Sequence, residues 1–296
     1  MTAPFQKLAL PGRVELVSNP AGLPKIRVTG AFSTAEIYPH GAHVTQFQKN
    51  GEPPLLFLSR QSLFAADKAI RGGIPVCFPW FGAREGAVMH GIARLTTWEL
   101  METAADPAGR VKLMFRLPPE PLLAAGWPPA HVTLTVSVAE KLTLDLAVRN
   151  DTAQDFVFED CLHTYFSVGD ISQVEIIGLK GVQYLDKVEQ FARKLESDEA
   201  IKISSEVDRV YLNATGAVAI RDAKWRRIIS VAKSGSTSTV VWNPWQAKAS
   251  AMADFGDDEY GGMVCVESGN VGDSKVALKP GQSAALQVVF SSAPWP

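Results

Sequence analysis

A chain of 296 residues, 46% of them hydrophobic, can bury a large core. Its 29 Lys and Arg stand against 31 Asp and Glu, and the net charge of −2 excludes the broad positive field that gathers nucleic acid or coats an anionic membrane. Any anion site must be local.

The N-terminal stretch MTAPFQKLALPGRVELV has no basic region followed by an apolar run, and no other stretch approaches the length of a membrane span, so a soluble, cytoplasmic protein is expected. The three cysteines, Cys77, Cys161 and Cys265, are far apart and lack any CxxC spacing. They argue against a disulfide framework or a zinc site and read as small buried apolar side chains.

From the N-terminus onward, period-two alternation recurs too often for a helical protein. RVELVS at 13–18 and AEIYPHGAHVTQFQ at 35–48 predict strands, and SRQSLFAADKA at 59–69 a short helical piece. TWELMET at 97–103 and RVKLMFRL at 110–117 predict further strands, with a second helical piece in EPLLAAGW at 120–127. HVTLTVSV sets Val132, Leu134, Val136 and Val138 against His131, Thr133, Thr135 and Ser137. After a turn at Ala139 and Glu140, KLTLDLAVRN sets Leu142, Leu144, Leu146 and Val148 against Thr143, Asp145 and Arg149, the pattern of an antiparallel hairpin with one apolar face.

FVFEDCLHTYFSVGDI at 156–171 reads as a strand with Phe156, Phe158, Leu162, Phe166 and Val168 toward the core. Glu159, Cys161, His163, Tyr165 and Ser167 take the other face. AVAIRD, RIISVAK, TSTVVWN, GGMVCVES and SAALQVVFSS add strands through the second half. With no linker or repeat between them, the expected architecture is all-β, a large antiparallel β-sandwich forming one domain over residues 1–296.

Five segments bear chemistry, each beside a plainer explanation. In AIRGGIPVCFPWFG, paired glycines allow a sharp bend or a close approach to a ligand, which frees Arg71 to reach into a cavity; a surface arginine on a loop accounts for it equally. In MHGIARLTTWEL, His90 and Arg94 bracket Gly91 as a basic pair suited to a carboxylate or phosphate, or His90 merely packs its loop. His163 is a histidine on the polar face of its strand, which is also how a satisfied surface group looks.

In SSEVDRVYLN, a turn with a local Asp208–Arg209 ion pair suffices. In GGMVCVESGNV, Glu267 shares a strand face with Met263 and Cys265, so partial desolvation would raise its pKa and suit a general base; a solvated strand-end glutamate is the alternative.

Taken in order, IRGGIPVCFPWFG (70–82), HGIAR (90–94), LHTYFSVGDI (162–171), GLKGVQYLDK (178–187), DRVYL (208–212), VVWNPW (240–245) and VCVESGNV (264–271) resemble the aldose 1-epimerase, or galactose mutarotase-like, superfamily. RGGIP and FPWFG point to its hexose-6-phosphate mutarotase (glucose-6-phosphate 1-epimerase) branch. The resemblance implies a β-supersandwich with the sugar in an open cleft. It implies His163 as the acid that protonates the ring oxygen and Glu267 as the base at the anomeric hydroxyl. Arg71 and Arg94 would hold the substrate and its phosphate, with Lys180 and Lys187 as outlying alternatives. Asp208 would bind sugar hydroxyls and His90 would orient the ring.

Met89 departs from the pattern, standing where many relatives have a glutamine that contacts substrate, and its thioether cannot replace that contact. The partner implied is a small phosphosugar, with no nucleic acid, membrane, metal or cofactor, and a monomer is expected. A mutarotase for neutral aldoses and a non-catalytic sugar-binding sandwich remain the alternatives.

Overall fold

Alternation of apolar and polar side chains drives pairing where one face can be buried. In the computed structural model, which describes residues 7–17 and 22–295, His131–Val138 and Leu142–Arg149 pair antiparallel with Val138 opposite Leu142. Their eight alternate apolar side chains, Val132 to Val138 and Leu142 to Val148, are buried. The hairpin belongs to a nine-stranded sheet that runs Ala200–Lys202, Val174–Ile177, Val218–Asp222, Arg227–Ser234, Ser283–Pro294, Leu142–Arg149, His131–Val138, Val111–Arg116 and Glu99–Ala105.

A second, eight-stranded sheet runs Ala192–Leu195, Gln183–Asp186, Val207–Tyr211, Ser238–Asn243, Met263–Asn270, Asp160–Leu162 and Val76–Cys77, with Tyr165–Ser167 also paired to Met263–Asn270. Leu162, Phe166, Val241, Val264 and Val266 from this sheet join Ile229, Val231, Leu286, Val288 and Phe290 from the first in one apolar cluster. Phe166 meets Phe290 edge-on, ring centres 5.4 Å apart. Burying each such side chain contributes about 1.5–3 kcal/mol. The sandwich therefore holds one face of the second sheet inward and leaves the other to form a cleft. A further four-stranded sheet comprises Val14–Val17, Lys25–Thr29, Ser33–Tyr38 and His43–Lys49. Among the described residues, no helix is long and apolar enough to cross a membrane.

Several expectations change in detail. The 35–48 stretch is two strands, because Gly41 and Ala42 turn through φ of 78° and 45°. The 156–171 stretch holds three short strands, Phe156–Phe158, Asp160–Leu162 and Tyr165–Ser167, and ends at the turn Ile171–Gln173, since the first strand pairs with Val276–Leu278 and the others with Met263–Asn270. Its division into faces holds, with Phe156, Phe158, Leu162, Phe166 and Val168 all in the core cluster.

SRQSLFAADKA forms no helix: Ser59 Oγ donates to Glu259 Oε2 at 2.6 Å and Ser62 Oγ accepts from Arg71 N at 2.8 Å, long-range bonds that outcompete a helical turn. The helical piece Glu120–Ala124 is present, and Trp245–Ser250 is a helix that alternation did not reveal.

The RGG bend requires its glycines. Gly72 and Gly73 have φ of +112° and +61°, and a Cβ at either would stand 2.5 Å from Phe57 O or 2.4 Å from Val44 O. His43 supports the bend from inside, its Nε2 donating to Gly72 O at 2.7 Å. Burial holds His43 down at about 3, against an ordinary value of 6.5, with His40 and Arg94 adding to the effect.

The unfolded chain therefore takes up a proton as pH falls through 6.5 while the folded chain does not until about 3. Stability is lost as pH falls across that window. Urea unfolding of the native chain and of His43→Gln, which keeps a donor for Gly72, checks this. Between pH 7 and pH 4, the acid-induced loss is expected to be about 3 kcal/mol smaller in the variant. Equal losses would mean that His43 titrates normally.

Candidate active site

Two ranks of side chains cross the outward face of the eight-stranded sheet beneath a cleft of about 720 Å³. In the first, Asp208 lies opposite Trp242, Trp242 opposite Cys265, and Cys265 opposite Tyr165. In the second, Leu185 lies opposite Val210, Val210 opposite Val240, and Val240 opposite Glu267. The apolar rank ends on the carboxyl, which is 1% exposed.

His163 follows the strand Asp160–Leu162 and brings Nε2 to 3.3 Å from Glu267 Oε1. Its ring stacks on Tyr165 with centres 4.8 Å apart and meets His90 and Trp242 edge-on at 5.4 and 6.1 Å. These contacts restrict the imidazole to one orientation.

Burial pushes Glu267 well above the ordinary carboxylate range; Asp208 adds to this, and Lys187 and the Cys161 thiol oppose it. Burial pushes His163 well below the ordinary histidine value, with His90, Arg94 and Arg71 adding to the effect. Both shifts act in one direction, favouring the form in which Glu267 rather than His163 holds a proton. His90 is likewise held neutral by burial and by the charges of Arg94, Lys187 and Arg71. Its Nδ1 accepts from Gly82 N at 3.2 Å, so Nε2 carries the ring proton as a donor.

Arg71 Nη1 donates to Tyr165 Oη at 3.0 Å and its Nε to Asp254 Oδ2 at 3.1 Å, which fixes the guanidinium beside the cleft. His163, Cys265 and Glu267 offer donor atoms within 4.8 Å of one another, the one group of that kind among the described residues. Burial raises both the Cys265 thiol and the Glu267 carboxyl, which disfavours the deprotonated forms that a metal ligand takes.

Five of the six anticipated residues, Arg71, His90, His163, Asp208 and Glu267, line this cleft. Arg94 does not: its Nη2 donates to Met89 O at 2.8 Å, so its side chain braces the loop that carries His90. Asp208 is on a strand, Val207–Tyr211, and not in a turn with Arg209. Strand geometry sends the two to opposite faces, Asp208 to Lys187 at 2.8 Å and Arg209 to Glu196 at 3.2 Å.

Lys187 lines the cleft, whereas Lys180 pairs with the exposed Glu199 outside it. Tyr165, Trp242 and Lys248 also line it, and the sequence assigned no role to Tyr165 or Lys248. The position of Tyr165, two residues beyond His163 on the same strand face, was the available signal for it.

The family profile described as "Aldose 1-epimerase" matches residues 24–291. The chain belongs to the aldose 1-epimerase family. It is 39% identical over 292 residues, 95% of this chain and 88% of the relative, to a Cenchrus ciliaris protein named "Putative glucose-6-phosphate 1-epimerase". An Escherichia coli K12 protein of the same name is 36% identical over 242 residues, 81% of this chain and 80% of that one. The crystal structure of a Salmonella typhimurium protein described as a "putative mutarotase (YeaD)" superposes with a TM-score of 0.90 over 97% of this chain and 96% of the other, at 30% identity. The family's galactose mutarotase-like sandwich is the architecture found here.

Proposed function

We propose that this protein is a hexose-6-phosphate mutarotase that interconverts the α and β anomers of glucose 6-phosphate and related aldohexose 6-phosphates. The observation that carries the reading is the approach of Glu267 Oε1 to His163 Nε2, 3.3 Å apart on the floor of a cleft whose wall holds Arg71. The names of the curated relatives support the same substrate class.

Opening a cyclic hemiacetal removes the proton of the anomeric hydroxyl and delivers one to the ring oxygen, so an acid and a base must meet the same carbon. In this reading ring opening starts from the form in which the pair's proton is on His163, so that Glu267 is the base, His163 the acid, and that proton is the one delivered to the ring oxygen. After opening, Glu267 is protonated and His163 neutral, the state that burial of both groups already favours. Rotation about the first carbon–carbon bond presents the other aldehyde face, and reversal of the two roles closes the ring. Asp208 and the His90 Nε2–H serve the sugar hydroxyls, and Trp242 offers a flat face to its C–H groups.

A phosphate ester carries about −1.5 to −2 charges at neutral pH. Arg71, Lys187 and Lys248 line the cleft and are the cations to receive it. Arg94, set behind the loop, takes a supporting part. One observation favours a neutral aldose as the second reading: Arg71 and Lys187 already have carboxylate partners, Asp254 and Asp208, that reduce their pull on phosphate.

Exchange between the α and β anomers of glucose 6-phosphate, followed by NMR beside glucose and galactose, tests both. Acceleration for the phosphorylated sugar is the expected result. Acceleration for the neutral sugars alone would select the second reading, and none for any of them would leave a sugar-binding sandwich.

A further inference from the structure

The proton relay leaves the cysteines without a part, yet Cys161 donates the one hydrogen bond that the Glu267 carboxyl accepts among the described residues, Sγ to Oε2 at 3.4 Å. Strand pairing builds this contact. Cys161 lies opposite Gly269, two residues beyond Glu267, and a Cβ on Gly269 would stand 2.8 Å from the Cys161 Cβ and 2.4 Å from Asp160 O. Because that position is bare, the strand bearing Cys161 closes in and its thiol leans toward the neighbouring carboxyl. Cys161 is fully buried and packs with Val210, Leu212, Val240 and Cys77; the first three of these line the cleft, and Cys161 does not.

We propose that Cys161 is a positioning residue for Glu267, its thiol fixing the carboxyl rotamer so that Oε1 faces His163 and stabilising the ionised carboxylate that begins ring opening. The inference rests on the mutarotase reading. A carboxylate that is 1% exposed depends on the few donors that reach it, since an ionised group without hydrogen bonds is costly to bury.

The charged and titratable groups that act on Glu267 come from several strands and loops. His163 lies beside it, Cys265 precedes it on its own strand, and Asp208 and Lys187 act from across the sheet. Cys77, opposite Cys161, and Tyr165, opposite Cys265, complete the set. Of these, the Cys161 thiol alone is bonded to Oε2.

The test compares Cys161→Ala with Cys161→Ser. Both leave a similar space in the apolar cluster, and the serine alone keeps a donor. In Cys161→Ala, kcat/KM for anomer exchange of glucose 6-phosphate is expected to fall about tenfold. The alkaline limb of its pH profile, where the pair gives up its last proton from Glu267, should move to higher pH. Cys161→Ser should stay within about threefold of the native rate, with the limb unmoved. Equal rates and equal limbs in the two variants would reduce Cys161 to packing and overturn the proposal.

An infrared measurement on the native protein separates this inference from the functional reading. The S–H band of Cys161, assigned with Cys161→Ser, should shift on Glu267→Gln. A band that stays put overturns the contact whatever the activity. If the native protein accelerates no anomer exchange, the mutarotase reading falls, and the role assigned to Cys161 falls with it even where the band does shift.

Discussion

Glu267→Gln is expected to slow anomer exchange of glucose 6-phosphate by about 10³-fold, the range of a positioned general base. The substitution isolates the chemistry because burial favours the neutral form of the carboxyl, and the amide matches that form in shape and polarity. The oxygen of the amide can still accept from Cys161, and the apolar rank of Leu185, Val210 and Val240 is untouched. What is lost is the capacity to hold a proton. Thermal unfolding should therefore be nearly unchanged while NMR exchange collapses to the spontaneous rate. An active, folded Glu267→Gln protein would remove the carboxyl from the mechanism.

Arg71→Met is expected to discriminate between substrates. A guanidinium offering two charge-assisted hydrogen bonds to a phosphate is worth a factor of about 100 in binding, and methionine retains the packing volume without the charge. kcat/KM for glucose 6-phosphate should fall by about 100-fold and that for any exchange of free glucose should stay within about threefold. Asp254 and Tyr165 both lose a partner, so circular dichroism and a melting curve are needed beside the kinetics. Equal losses for both sugars would make Arg71 a support for Tyr165 and the ring of His163. No loss for either would move the phosphate to Lys248 or Lys187.

Much of the sandwich was legible because its strands carry one buried face each. The 131–149 hairpin, the division of 156–168 into core and cleft faces, and the apolar company of Glu267 all follow from side chains that alternate along a strand. The pair proposed to be catalytic, His163 and Glu267, was reached through resemblance, and desolvation of the glutamate was predictable from Met263 and Cys265. Trp245–Ser250, with Lys248 at its exposed side, escaped notice because six residues are too few to show helical periodicity. The plainer alternative for Asp208, a turn with Arg209, fails because both residues are on the strand Val207–Tyr211.

The sequence by itself determined which side chains share a face, since that depends only on local backbone geometry and on which residues water rejects. It also determined that the RGG bend would be tight, because only glycine adopts those dihedral angles without a clash. The tertiary structure alone decided which charged groups converge. It brought Cys161 to Glu267 across 106 positions, turned Arg94 behind its loop and placed Lys187 against Asp208. The reason is physical: register between distant strands, and the path of the loops that join them, are set by hydrogen-bond pairing across the whole sheet, and alternation within one strand carries no record of its partner.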